Sequence, residues 1–423
     1  MVEVSFQYHA EPASEEVARR AWSDIQTCRE VYNHALTQEY HPAPDGDKPS
    51  YTAMQNKLPD WKRDWEQWGE VYSKCLQMAV RRITHGETVL KELKAKGYDV
   101  GRLKWKNPRE YRSITYNQSG FDVDSNTGRL DHAVVDFSKI GRFHLTYHRP
   151  LPEDGTIKQI HLKKQKTGAW TVSIVVDYNP DYPEKPAVED IEPEDCVGID
   201  LGIRSFVHDS DGRAVDRLDL SDDRERLERE QRSLSRKQHG SKNWERQRRR
   251  VAEVHQRMTD RKDDFKHKLA HFYTLEYDAV FVEDLDVRGM LEADGNARTK
   301  AEVGWRDFIT VLTHHGKKNG CHVVEVEPVG TTKECARCGV ETAKPLWVRT
   351  HDCPSCGFEA DRDRNAALNV FSRGLEDLGV VHSEGTPVET ALPVGTDSVP
   401  AKRVVEAGSR CLKEPAKQAS RQG

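Results

Sequence analysis

Along the first hundred residues apolar side chains recur every three or four positions, and after that they begin to alternate. A short alternating segment (Val2, Val4, Phe6, Tyr8) predicts an opening strand. Pro12 and Ser14 then introduce a helix with Glu15 and Glu16 in its first turn, where carboxylates suit the positive end of the helix dipole. Ala18, Ala21, Trp22, Ile25, Cys28, Tyr32 and Leu36 keep helical spacing, and Val71, Cys75, Met78, Ala79 and Ile83 resume it beyond a Pro- and Gly-containing loop at 41–50. From about residue 100 the period falls to two, through Phe143, Leu145 and Tyr147, then Ile157, Ile160 and Leu162, then Trp170, Val172, Ile174 and Val176. That stretch reads as a barrel-like β module into which the opening strand pairs.

A proline-rich acidic linker at 180–195 marks a boundary. Beyond it, Cys196–Asp200 and Ser205–His208 form a hairpin that turns again at Asp211-Gly212. Residues 216–277 are a charged helical hairpin broken near Gly240, with Val251, Val254, Met258, Phe265, Leu269 and Phe272 as its seam. Two buried-type strands follow, Ala279–Val282 and His322–Val326, with a helix over Trp305–Lys318 between them. After Gly374 the chain turns to Pro, Thr, Gly and Glu, which predicts disorder to residue 423.

At 423 residues the chain is too long for one hydrophobic core. No apolar run approaches the roughly 20 residues that span a bilayer, and Met1–Ala10 lacks a secretory pattern, so the expected location is the cytosol. Net charge is only −5, but residues 101–170 carry 13 Lys/Arg against 7 Asp/Glu, and 221–268 carry 16 against 10. Each is either a solvated face or a surface for an anionic polymer.

Of nine cysteines, Cys28, Cys75, Cys196, Cys321 and Cys411 are scattered, while Cys335, Cys338, Cys353 and Cys356 form two CxxC pairs, each followed by glycine (Gly339, Gly357). Two such turns facing each other complete a tetrahedron around one structural Zn²⁺; a redox pair or unrelated core cysteines are the alternatives. Four thiolates leave His351 behind the ligands or in solvent. Three acids stand in distinctive settings: Asp200 ends the strand VGID, Glu283 ends AVFVE, and Asp363 lies in DRDRNAALNV after the second CxxC. Singly each suits a cap or turn. Converging in space, they would hold two Mg²⁺ ions for phosphodiester hydrolysis.

These residues carry a family resemblance. From about residue 2 to 373 the chain resembles the TnpB (OrfB) proteins of insertion sequences, relatives of compact type V CRISPR nucleases. The resemblance lies in GIDLGI (198–203), VEDL (282–285), Trp305 and its helix, and CARCG with LWVRTHDCPSCGFEADRDRNAALNV. It implies a multidomain α+β chain with a helical recognition lobe (12–98) and a β-barrel wedge domain (1–11 with 99–185). A RuvC-like, RNase H-fold α/β nuclease domain would follow (186–330 with hairpin 216–277, closing at 361–374), interrupted by a four-cysteine zinc ribbon at 331–360, with a tail at 375–423. It implies Asp200, Glu283 and Asp363 as the catalytic acids, Asp361 being the fallback because the ligand stands two residues before Asn365. It further implies a guide RNA from the transposon end, a double-stranded DNA target beside a short flanking motif, and a monomer bound to RNA. Trp105, Tyr111, Tyr116 and Trp244 would then be stacking platforms among the basic stretches.

Relatives are usually strongly basic, whereas this chain has a pI near 6.4, a shift that suits the salt-rich cytoplasm of a halophilic archaeon. Three other readings compete. GIDLG also occurs in actin- and sugar-kinase-like phosphotransferases, which have no reason to carry a four-cysteine ribbon before DRDRNAA. A nuclease-inactive, guide-dependent DNA-binding regulator of transposition would not need the three intact acids. A regulator that only occupies transposon ends is the third.

Overall fold

The computed structural model describes residues 2–44, 46–129, 131–285, 303–345 and 347–380. Contacts group the chain into two compact units: Met1–Pro180 with Glu230–Glu253, and Asp181–Arg229 with Val254–Gly423. Among the described residues no helix is long and apolar enough to cross a membrane.

In the first unit β1 (Val2–Pro12) precedes helices α1 (Glu15–Ala35), α2 (Tyr51–Gln55), α3 (Leu58–Asp64) and α4 (Ser73–Ala95). Six strands follow: β2 (Ser113–Asn117), β3 (Phe121–Asp124), β4 (His132–Phe137), β5 (Gly141–Thr146), β6 (Thr156–Lys164) and β7 (Trp170–Tyr178). Ser14 caps α1 by accepting from the Val17 N–H, and Ala21, Ile25, Cys28, Val31, Tyr32 and Ala35 form its buried stripe. β1 sits inside the antiparallel sheet, whose order is β2-β6-β7-β1-β5-β4-β3. Strands β2 and β4 are five places apart, which in a flat sheet means about 24 Å. Yet the Tyr116 ring lies 5.1 Å from Phe137, and its hydroxyl donates to the Ser138 carbonyl at 2.7 Å. The sheet therefore curls back on itself. Tyr111 and Tyr116 are not stacking platforms: both are buried in this core, Tyr116 from β2 and Tyr111, which precedes that strand, with its ring 6.1 Å from Tyr32 of α1.

The second unit holds β8 (Cys196–Leu201), β9 (Ser205–Asp209), β10 (Ala214–Asp216), β11 (Ala279–Glu283) and β12 (His322–Val326) in the order β10-β9-β8-β11-β12. β8, β11 and β12 run parallel, while β9 and β10 fold back as an antiparallel meander. Helices α5 (Ser221–Ser235) and α6 (Lys242–Glu276) break around Gly240, which takes φ +79°. α7 (Trp305–Asn319) links β11 to β12, and a hairpin of β13 (Thr350–Asp352) and β14 (Glu359–Asp361) leads into α8 (Arg362–Leu378).

Two details differ from the sequence reading. β12 is an edge strand, so only Val326 in it is buried. α8 continues past Gly374 to a cap at Gly379 (φ +83°), and Leu375 is fully buried. At Gly374 a Cβ would lie 1.9 Å from the Phe281 ring, so the glycine lets helix meet strand. Residues 375–380 are therefore ordered, and the rest of the tail expected to be disordered, 381–423, lies outside the described residues.

The period of two along β8 and β11 sorts their side chains onto opposite faces. Val197, Ile199, Leu201, Val280 and Val282 pack with Phe265, Leu269 and Tyr273 of α6 and with Phe308 and Leu312 of α7. Cys196, Ala279 and Phe281 pack on the other side with Val370 and Leu375 of α8. Gly198 belongs to that second face, and a Cβ on it would stand 2.4 Å from the Ala367 carbonyl and 2.5 Å from the Phe371 nitrogen. Because both are backbone atoms, Gly198→Ala should force α8 off the sheet at a cost of about 3 kcal/mol. An unchanged urea midpoint would show the contact to be slack.

Candidate active site and metal centre

The same parity places the acids. Asp200 shares a face with Cys196 and Gly198, and Glu283 with Ala279 and Phe281, so both look toward α8. The strands pair in parallel up to Val282 opposite Ile199, which sets Glu283 and Asp200 side by side at the next step. Asp363 comes from a helix, not a strand end: it lies in the first turn of α8, the helix that Gly198 admits. Three carboxylates distant in sequence thus meet at one corner of the sheet, each 6–7% exposed.

Electrostatics report the convergence. The Asp200 carboxyl is held well above the usual carboxylate range, first by burial and then by the negative charges of Glu283 and Asp363, with Arg362 and Arg349 partly offsetting them. Among the described residues no protein group donates a hydrogen bond to the Asp200 carboxylate. Glu283 is also raised by burial, while the Thr331 hydroxyl, donating to its Oε1 at 2.6 Å, and Arg373 pull the other way. Asp363 is paired with Arg349, and its Oδ1 lies 3.8 Å from Arg362 Nε. Asp361, the fallback, is half-exposed and spends Oδ1 on the Asp363 N–H at 2.8 Å as the helix cap. Its role is local, which favours Asp363 as the inward acid.

The second cluster is the thiols. One ligand atom from each of Cys335, Cys338, Cys353 and Cys356 lies within 4.8 Å of the others, and among the described residues no other set of three or more His, Cys, Asp or Glu is as close. Each knuckle closes on its glycine: the Gly339 N–H donates to the Cys335 carbonyl at 2.8 Å and the Gly357 N–H to the Cys353 carbonyl at 2.9 Å, both glycines with positive φ. The N–H groups of Cys356 and Ser355 pull the Cys353 thiol down to about 6. Four close sulfurs suit tetrahedral Zn²⁺ and leave no place for water. His351 is not in solvent. It is fully buried, its Nδ1 accepting from Lys344 Nζ at 2.7 Å.

Polar residues that sequence reasoning passes over join the two clusters. Asn365 and Asn369, one turn apart on α8, are buried and aim at the root of the ribbon. Their side-chain amides donate to the Glu334 carbonyl at 2.7 and 2.8 Å, and Asn365 Oδ1 accepts from the Ala336 N–H. Arg373 on the same helix donates to the carbonyls of Glu327 and Val329 and pairs with Glu334. Two asparagines four residues apart on an otherwise apolar helix face are the available signal. Nothing in the sequence singles out Arg349 or Thr331.

Residues 173–294 match a family described as "Probable transposase" (OrfB of the IS605 type), and residues 305–370 match one described as "Cas12f1-like, TNB domain". The chain is 32% identical over 382 residues to a "Putative RNA-guided DNA endonuclease" of Streptomyces pristinaespiralis, covering 88% of this chain and 90% of that one. It is 26% identical over 385 residues to the "Putative RNA-guided DNA endonuclease InsQ" of Escherichia coli K12, covering 86% and 90%. Among solved structures, the mini-RNA-guided endonuclease CRISPR-Cas phi3 aligns over 90% of this chain and 92% of that one with a TM-score of 0.51 and 9% identity, a likeness of fold.

Proposed function

Since the chain belongs to the OrfB/TnpB family of transposon-encoded RNA-guided nucleases, we propose that it cuts double-stranded DNA selected by a guide RNA, hydrolysing phosphodiesters with Asp200, Glu283 and Asp363. The observation that carries this reading is the corner where three buried carboxylates meet and Asp200 ionises against two like charges with no protein donor to help it. A buried acid cluster of that kind calls for a cation.

Asp200, Glu283 and Asp363 are suited to hold Mg²⁺, which when bound supplies an activated water and neutralises charge on the scissile phosphate. Thr331 holds Glu283 by a hydrogen bond, and Arg349 pairs with Asp363 from the ribbon.

In domain terms, residues 1–11 and 99–185 with the curled sheet would be the wedge domain, 12–98 the recognition lobe, 186–330 with 361–374 the RuvC-like nuclease, and 331–360 the zinc ribbon, with the correction that 230–253 groups with the first unit by its contacts. Guide RNA from the transposon end and a DNA target beside a short flanking motif are the partners of this reading. Its test is to copurify the protein with bound RNA, sequence that RNA, and challenge the complex with a plasmid library carrying the matched target and randomised flanks. A discrete RNA and Mg²⁺-dependent cutting beside one flanking motif are expected. A discrete RNA with target binding but no cutting at any Mg²⁺ concentration would instead identify a DNA-binding regulator.

A further inference from the structure

Three neighbouring strands carry one row of polar side chains across the acid corner, and the third member of that row is a histidine. Glu283 on β11 flanks Asp200 on one side; on the other, the β8–β9 register sets His208 directly opposite Asp200. Strand parity then puts His208 on the face that α8 covers. Its neighbours turn the other way: Val207 joins the apolar core against α6, and Asp209 accepts from the Tyr273 hydroxyl of α6 at 3.0 Å. Directly opposed residues of an antiparallel pair hold their Cβ atoms about 5 Å apart, so His208 and Asp200 share one patch of surface.

His208 is half-buried, and its Nδ1 is buried with no hydrogen-bond partner of ordinary geometry among the described residues. Burial lowers its pKa first; the charges of Asp361 and Asp363 and the Asp209 backbone oppose that, and Arg364 adds to it, so the ring sits among the groups that open α8. A histidine that merely fills space satisfies its polar atoms, as His322, the other histidine of this sheet, does at the Pro186 carbonyl 2.9 Å away. An imidazole with an unsatisfied nitrogen, beside a carboxylate that also lacks a protein donor, completes a ligand set of oxygens and one nitrogen. Mg²⁺ takes oxygen and sheds water reluctantly, whereas Mn²⁺, a transition ion that also suits carboxylates, accepts imidazole more readily.

We infer that His208 is a further ligand of the catalytic cation site, a nitrogen donor beside Asp200 that biases the site from Mg²⁺ toward Mn²⁺; the inference rests on the nuclease reading above. Mn²⁺ is the probe, titrated into the zinc-loaded full chain freed of RNA, and electron spin-echo spectroscopy reads whether nitrogen is bound to the manganese. The unaltered chain should show a nitrogen coupling that changes when its histidines alone are labelled with ¹⁵N, and His208→Val should lose that coupling. Mn²⁺ affinity of the variant should fall about tenfold or more, the loss that disturbing even an outer partner of a metal ligand causes, while Mg²⁺ affinity falls less than about threefold. The labelling result does not depend on any variant folding: manganese surrounded only by oxygen in the unaltered chain would overturn the inference. So would equal losses of Mn²⁺ and Mg²⁺ affinity with a lower melting temperature, the mark of a histidine that only supports the fold. Asp200→Asn separates this from failure of the parent reading. Mn²⁺ binding indifferent to Asp200 would count against the acid corner itself, whereas binding that needs Asp200 but shows no histidine nitrogen would remove His208 alone.

Discussion

Asp200→Asn should reduce DNA cleavage by about 10³-fold or more, the loss of roughly 4 kcal/mol of transition-state stabilisation, while making the protein without added Mg²⁺ more stable. The two effects have one origin. Burial and the charges of Glu283 and Asp363 hold the Asp200 carboxyl well above its ordinary range, whereas the unfolded chain ionises it near pH 4. Unfolding therefore releases a proton between those two values, and native stability falls as pH climbs from about 4 through the raised folded value. Glu283, also raised, adds a loss of the same sign. Asparagine keeps the shape and removes the ionisation, so the variant should melt higher at neutral pH and show a flatter pH profile, each kcal/mol relieved reading as roughly 2–4 °C. Guide and target binding should be nearly unchanged. Cleavage persisting in the variant would refute the assignment of Asp200, and a lower melting temperature would refute the electrostatic account.

Loss of zinc should be comparably severe, though by another route. Structural Zn²⁺ in small thiolate sites contributes about 10–16 kcal/mol at neutral pH, more than a ribbon of some thirty residues gains from its own packing. Cys335→Ser, or treatment with a strong chelator, should open 331–360 to rapid hydrogen exchange and lower folding yield. Cleavage should fall with it, because Asn365, Asn369 and Arg373 tie α8 to the ribbon's root and Arg349 meets Asp363 from the ribbon itself. Zinc should restore protection and activity together, and extra Mg²⁺ alone should restore neither. A zinc-free protein, verified by metal analysis, that stays protected and cuts at the normal rate would show the ribbon to be dispensable.

Much of this is legible in the sequence because the strongest signals are local. The helical stripe of α1, the alternation in β5 to β7 and the spacing of Cys335, Cys338, Cys353 and Cys356 each depend on residues close in sequence, and the structure reproduces them. The meeting of Asp200, Glu283 and Asp363 follows from family resemblance more than from any pattern of period or charge. Tyr111 and Tyr116 mislead because an aromatic among basic residues looks the same whether its ring faces a base or the interior of a curled sheet. Order reads as ending at Gly374 because the composition changes after it, and composition does not show that Leu375 is buried or that the helix runs on to a cap at Gly379. Nor does composition show that 230–253 groups with the first 180 residues, a property of contacts and not of chain position.

The position of Asp363 has a consequence for synthesis. The third acid rides on α8, downstream of both strands it must meet. A ribosome releases Asp200 and Glu283 well before Asp363 has been translated, and a chain halted by a premature stop codon or clipped ahead of α8 carries an incomplete acid set. On the proposed reading, such an unfinished copy would lack the third acid and would not cut.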